Sequence, residues 1–132
     1  MSVADVVVLP STAREPHSEV WGLVVNEAAS LGKPVVVTEA VGSASDLVAK
    51  FQCGSLVKHS DPHDLCQAIR QILLDPELAL KMGANGISAT RETFNFERMA
   101  QGFYHAIQQA FAKTRECPTM TQSRNEFPVI GP

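Results

Sequence analysis

Two short apolar runs, Val6-Val7-Val8-Leu9 and Pro34-Val35-Val36-Val37-Thr38, constrain this chain more than any other feature. Both are continuous rather than alternating, and both are rich in β-branched residues. That is the pattern of strands buried on both faces in a parallel sheet. Between them lie a polar loop with two prolines, residues 10–18, and the stretch Glu19-Val20-Trp21-Gly22-Leu23-Val24-Val25-Asn26-Glu27-Ala28. The order reads strand, loop, helix, strand. The helix is predicted from about Gly22 to Leu31, with Gly32 just past its end as a C′ residue.

Parallel strands carry ligands at their carboxyl ends, where loops meet helix starts. Gly22 stands at such a start and lets backbone come close to a ligand. The first-turn N–H groups have no partner within the helix, so they favour an anion such as a diphosphate. Glu27, about a turn and a half into the helix, can accept hydrogen bonds from sugar or ribose hydroxyls. Glu19, on the loop, reaches a different part of the same ligand. Trp21, the sole tryptophan, has two compatible readings: an anchor covering the helix start, or a wall of the ligand pocket.

Leu9-Pro10-Ser11, the pair Glu19 and Glu27 with seven residues between them, Trp21-Gly22, and Gly32-Lys33-Pro34-Val35-Val36 stand together in one order. This combination resembles the nucleotide-sugar-binding domain of glycosyltransferase family 4, the group 1 retaining transferases of the GT-B fold. The resemblance covers residues 4 to about 112. Trp21 stands where the family more often has Phe, and Ser43 stands where it usually has the second glycine of a Gly-Gly pair.

The resemblance implies transfer of a sugar from a nucleoside diphosphate sugar to an acceptor hydroxyl, with retention. It implies that the backbone of Gly22, Leu23 and Val24 holds the diphosphate, that Glu27 binds ribose, and that Glu19 contacts the donor sugar near the reacting carbon. Trp21 and Gly42 would line the same pocket. No metal and no further cofactor are expected. The resemblance also implies a chain holding only part of the C-terminal, donor-binding domain, over residues 1–113, and inactive alone. The sugar or lipid acceptor would be bound by an N-terminal domain outside this chain, as would any peripheral membrane contact. Other readings are a non-catalytic half-domain paired with a separate subunit, a nucleotide-sugar epimerase of similar fold, and a generic flavodoxin-like module.

The expected fold is α/β: an incomplete Rossmann-like domain with a short parallel sheet of about three strands, flanking helices and a helical C-terminal region. Gly54-Ser55-Leu56-Val57 is the third strand. Ser43 is read as the N-cap of a helix from about Ala44 to Phe51, with Asp46 completing a capping box. Asp61-Pro62 signals the next helix start, with Leu65, Cys66, Ile69, Ile72 and Leu73 on one apolar face. Asp75-Pro76 opens another helix, carrying Leu78, Met82 and Ile87 and weakened by Gly83 and Gly86. Asn95 is read as the cap of a last helix, whose stripe of Phe96, Met99, Phe103, Ile107 and Phe111 reads as core. His63 and His105 are read as surface or packing residues. From Thr114 the sequence is polar, proline-bearing and aperiodic, which predicts a disordered tail over 114–132.

Composition narrows the classes further. At 132 residues the chain is one domain at most, and 45% apolar with 19% charged residues is ordinary for a globular protein. The net charge of -3 argues against a nucleic-acid partner. No apolar run reaches membrane-spanning length. Cys53, Cys66 and Cys117 are widely spaced without a CxxC, consistent with reduced thiols and a cytoplasmic setting. Arg14 is read as a solvated loop residue rather than a phosphate contact, and His17 as a loop residue rather than a base.

Overall fold

The structure, a computed structural model, describes residues 3–13 and 19–115. Arg14, Glu15, His17, Cys117 and the tail from residue 116 lie outside the described residues. The chain divides into two units, residues 1–95 and 96–132.

In the first unit three parallel strands form one sheet in the order β1-β2-β3: β1 Val7–Leu9, β2 Val35–Thr38 and β3 Gly54–Val57. Val7 pairs with Val35, and Val35 with Gly54. β2 is central and buried along its whole length, as its unbroken apolar sequence requires. β1, predicted to be buried on both faces, is only half-buried throughout. It is an edge strand among the described residues, hydrogen-bonded to β2 alone, so one flank lacks the cover that β2 receives from two neighbours.

Side chains alternate across the sheet, and each face has its own core. Val35 and Val37 point to one face, packed with Val25, Ala28, Leu47, Val48 and Ala89. Val36 points to the other, packed with Val57, Ala68 and Ile72. The first core is covered by α1 (Leu23–Ser30) and by a π-helical segment, Ala44–Ala49. The second is covered by α2 (Pro62–Leu74), while α3 (Pro76–Glu92) contributes Ala79 and Met82 to the second core and Ala89 to the first.

Local signals set the helix ends. The Asp61 carboxylate accepts from the amides of His63 and Asp64, and Pro62 fills the first helical position of α2. Asp75 accepts from the Leu78 amide at 2.9 Å to start α3. α1 ends in a Schellman turn: Lys33 N–H donates to Ala28 O, Gly32 N–H donates to Ala29 O, and Gly32 has φ +67°. Gly83 and Gly86, which a helix-propensity reading treats as weak points, are where α3 meets this turn. A Cβ on Gly83 would lie 2.2 Å from Gly32 O, and one on Gly86 3.0 Å from Ala29 O.

Three sequence expectations are corrected. Ser43 is not a side-chain cap: it lies in the right-handed helical region, makes no cap hydrogen bond, and is fully buried. Its N–H donates instead to Trp21 O, so a long-range contact draws the residue inward. On α2, Cys66 and Leu73 are exposed; the buried face is Ala68 and Ile72, with Leu65 and Ile69 partly covered. In the second unit α4 spans Phe96–Arg115, but Phe96, Met99, Phe103, Ile107 and Phe111 are all more than half exposed and form no core. α4 is the one described element of its unit, so no second layer covers the stripe among the described residues of that unit. Asn95 donates from its side-chain amide to Arg91 O at the end of α3.

Candidate functional site

The carboxyl ends of β1, β2 and β3 open into three loops on one edge of the sheet. Thr38, the last residue of β2, ties the first two together: its hydroxyl donates to Ser11 O at 2.5 Å. Residues 19–21 then run beside residues 41–43. Glu19 and Val41 form a parallel bridge, Gly42 N–H donates to Glu19 O at 3.0 Å, and Ser43 N–H donates to Trp21 O at 3.1 Å. This two-stranded contact fixes the backbone that leads into α1.

Gly42 makes the contact possible. A Cβ there would sit 1.8 Å from Val20 O, which no side chain survives without moving backbone. Gly22 is the N-cap of α1 with φ +79° and ψ 66°, a left-handed conformation that costs a residue with a Cβ about 1 kcal/mol or more. It is also closely surrounded, since a Cβ would meet Leu9 Cδ2 at 2.8 Å and Val41 Cγ1 at 2.9 Å. The fold therefore requires glycine at both positions.

Trp21 is half-buried and doubly held. Its indole N–H donates to Asn26 Oδ1 at 2.8 Å, and its ring lies 5.7 Å from that of Phe94, which in turn meets Phe51 edge-on. Trp21 thus clamps the loop to the first turns of α1. No side chain of the N-cap residue satisfies the helix start. Helix geometry leaves the amides of Leu23 and Val24 without intrahelical acceptors, so they present partial positive charge at this end. The Leu23 side chain is 71% exposed, and Glu27, one turn on along the same face, is exposed as well.

Glu19 joins two parts of the site. Its Oε1 accepts from Gly22 N–H at 3.1 Å. It also lines an open cleft of about 470 Å³, with Val20, Glu39, Gly42, Ser45 and Leu56. Of the residues singled out from sequence, Glu19 and Gly42 line this cleft, whereas Trp21, Gly22, Leu23, Val24 and Glu27 gather around the start of α1. Sequence reasoning missed Glu39, whose carboxylate lies 3.8 Å from His59 Nε2. Its position directly after a buried strand was the available signal, because such positions face the ligand edge of a parallel sheet. Among the described residues no group of three or more His, Cys, Asp or Glu side chains is placed to hold a metal ion. Among them, too, no helix is long and apolar enough to cross a membrane.

Known proteins share this arrangement. A sequence model of the family described as Glycosyl transferases group 1 matches residues 1–89. The D-inositol 3-phosphate glycosyltransferase of Thermobifida fusca (strain YX) is 32% identical over 112 residues, covering 85% of this chain and 24% of that protein. Among solved structures, the sucrose-phosphate synthase (tll1590) from Thermosynechococcus elongatus matches with a TM-score of 0.68 at 35% identity, over 83% of this chain and 26% of that one. Anabaena Alr3699/HepE in complex with UDP-glucose matches with a TM-score of 0.70 at 27% identity, over 82% of this chain and 28% of that one. The chain spans about a quarter of the length of these relatives. The matched segment contains the whole strand-loop-helix unit with Glu19, Gly22 and Glu27, and on these grounds the chain belongs to the group 1 glycosyltransferases.

Proposed function

We propose that this chain is part of the C-terminal, donor-binding domain of a family 4 retaining glycosyltransferase, that domain portion being residues 1–113. Its reaction moves a sugar from a nucleoside diphosphate sugar to an acceptor hydroxyl. The observation that carries the reading is the start of α1: a left-handed glycine N-cap, first-turn amides for which helix geometry provides no intrahelical acceptor, and an exposed Glu27, beside Glu19. A UDP-glucose complex of a protein with this fold supports the choice of ligand.

In this reading the amides of Gly22, Leu23 and Val24 grip the diphosphate. They stabilise the negative charge that grows on it as the bond to the sugar breaks, as fixed N–H donors do at an oxyanion. Glu27 accepts hydrogen bonds from the ribose hydroxyls, and Glu19 positions the donor sugar. Trp21 and Gly42 hold the loop so that the amides stay aimed. The acceptor binds on a domain other than this one. The 132-residue chain by itself does not turn over, because a single donor face supplies no second wall to exclude water from the reaction.

Isothermal titration of the chain with UDP and GDP, beside the Glu27→Ala variant, tests the reading. Binding to the isolated chain is expected to be weak, with a loss of about tenfold or more in the variant, the size of a charge-assisted hydrogen bond. Binding unaffected by Glu27→Ala would place the nucleotide elsewhere and refute the assignment.

A further inference from the structure

We propose that the apolar face of α4 is a homodimer interface, covered in solution by the same face of a second copy of this chain. None of its residues belongs to the donor site, so it stands apart from that reading.

Met99, Phe103, Ile107 and Phe111 recur at every fourth position of α4, and Tyr104 stands beside them. All five are between 52% and 69% exposed. Residues four apart form a ridge along a helix. Ala106 and Ala110 belong to the next such row, and both are exposed. Their methyl groups leave a shallow groove beside a ridge of large side chains. Each copy thus carries both halves of a fit: its ridge enters the groove of its partner, and its groove receives the partner's ridge. Helices that meet in this way cross at about 50°, with the contact centred between Phe103 and Ile107. A patch complementary to itself closes into a two-fold pair and leaves no face for further growth.

The area on offer suits a second copy. A bare side chain of this size shows about 200 Å². At these exposures the five leave on the order of 600 Å² per copy, so a pair covers about 1,200 Å². That is the lower end of specific interfaces, which sets the dimer in the micromolar range rather than the nanomolar. Aromatic residues and Met are the types enriched at the centre of such contacts. The Tyr104 hydroxyl accepts from Gln108 Nε2 at 2.7 Å, so its polar end is satisfied at the rim.

The polar side of α4 argues against a lipid surface as the occupant. Helices that lie on membranes carry many Lys and Arg residues beside the apolar face. Between Arg98 and Lys113 this side carries Gln101, His105, Gln108 and Gln109, and no Lys or Arg. A net charge of -3 on the chain also sets it against an anionic headgroup layer.

Sedimentation equilibrium of the 132-residue chain at about 1–200 μM reads its state of association. A reversible monomer–dimer equilibrium is expected, with a dissociation constant of about 1–50 μM. The double variant Phe103→Ala with Ile107→Ala removes the middle of the ridge while raising helix propensity, so α4 stays helical. It is expected to weaken the dimer about thirtyfold or more. Ala106→Leu adds apolar surface but fills the groove, and is expected to weaken the dimer about tenfold. Gln109→Glu, on the polar side, should leave it unchanged. Far-UV circular dichroism confirms that each variant is folded. A monomer throughout this range overturns the proposal, as does a dimer that the double variant leaves intact. Tightening by Ala106→Leu also overturns it, because apolar association without a fitted groove would gain from the larger side chain. A monomeric chain that binds vesicles of phosphatidylcholine and phosphatidylglycerol would make lipid the occupant and overturn it as well.

Discussion

Replacing Gly83 by alanine sets two effects of opposite sign against each other. Gly83 lies in the interior of α3, where alanine is favoured over glycine by about 1 kcal/mol. Judged from the helix alone, Gly83→Ala stabilises. In the fold the new Cβ would stand 2.2 Å from Gly32 O and 3.1 Å from Gly32 C, both backbone atoms of the turn that ends α1. An ordinary contact begins near 3.4 Å, so α3 and this turn must separate by about 1 Å. The neighbours leave little room, because a Cβ on Gly32 would meet Ile87 Cδ1 at 3.0 Å and one on Gly86 would meet Ala29 O at 3.0 Å. Overpacking against a rigid obstacle costs about 1–3 kcal/mol, and here the obstacle is backbone held by the two hydrogen bonds of the Schellman turn. With about 1 kcal/mol returned by helix propensity, the upper part of that range leaves a net loss of about 1–2 kcal/mol. For a unit of this size that lowers the melting temperature by about 5–15 °C. Thermal unfolding followed by circular dichroism reads it directly. Gly102→Ala is the control: it lies in α4 with nothing within 4 Å of a new Cβ, so only propensity acts and helicity should rise. A melting temperature unchanged or raised in Gly83→Ala would refute the packing argument.

Two further predictions concern buried polar groups. The Ser43 hydroxyl is buried and has no hydrogen-bond partner among the described residues, so Ser43→Ala should stabilise the fold by up to about 1 kcal/mol in urea unfolding; a loss would mean that the hydroxyl is satisfied. Cys53 is fully buried, its thiol donating to Leu47 O at 3.6 Å, whereas Cys66 is exposed. Mass-mapped alkylation should modify Cys66 readily and Cys53 only on unfolding. Burial pushes the Cys53 thiol above its ordinary range, partly offset by its backbone hydrogen bond. Unfolding therefore releases its proton at a lower pH than the native state does. Its effect on stability is nil while both states are protonated, and stability falls as pH rises past the ordinary thiol range. A Cys53→Ala variant should lose that alkaline component.

Features that depend on neighbours in sequence were legible, and those that depend on partners far along the chain were not. The Val35–Thr38 and Gly54–Val57 strands, the Asp61 and Asp75 caps and the Gly32 turn all follow from a few adjacent residues. Ser43 shows the opposite case. Ser-x-x-Asp is a local cap pattern, but the Trp21 carbonyl, twenty-two residues earlier, takes the Ser43 amide and the residue is buried. Gly83 and Gly86 look like flaws in a helix until the α1 turn is placed against them. The apolar stripe on α4 was correctly placed on one helical face, but periodicity says only that a face is apolar, not what covers it.

The same division runs through the candidate site. The spacing of Glu19, Gly22 and Glu27 could be read from the chain, because it is the spacing of one loop and one helix start. The role of Gly42 could not. As a sequence position it suggests close approach of backbone to a ligand. In the fold, the atom that a Cβ would strike is Val20 O, within the protein itself. Gly42 lets residues 41–43 lie against residues 19–21, and that contact sets the backbone of Glu19 and the approach to α1. A glycine that shapes the loop and one that touches a ligand are alike in sequence. They differ only in which atom fills the space that a side chain would have taken.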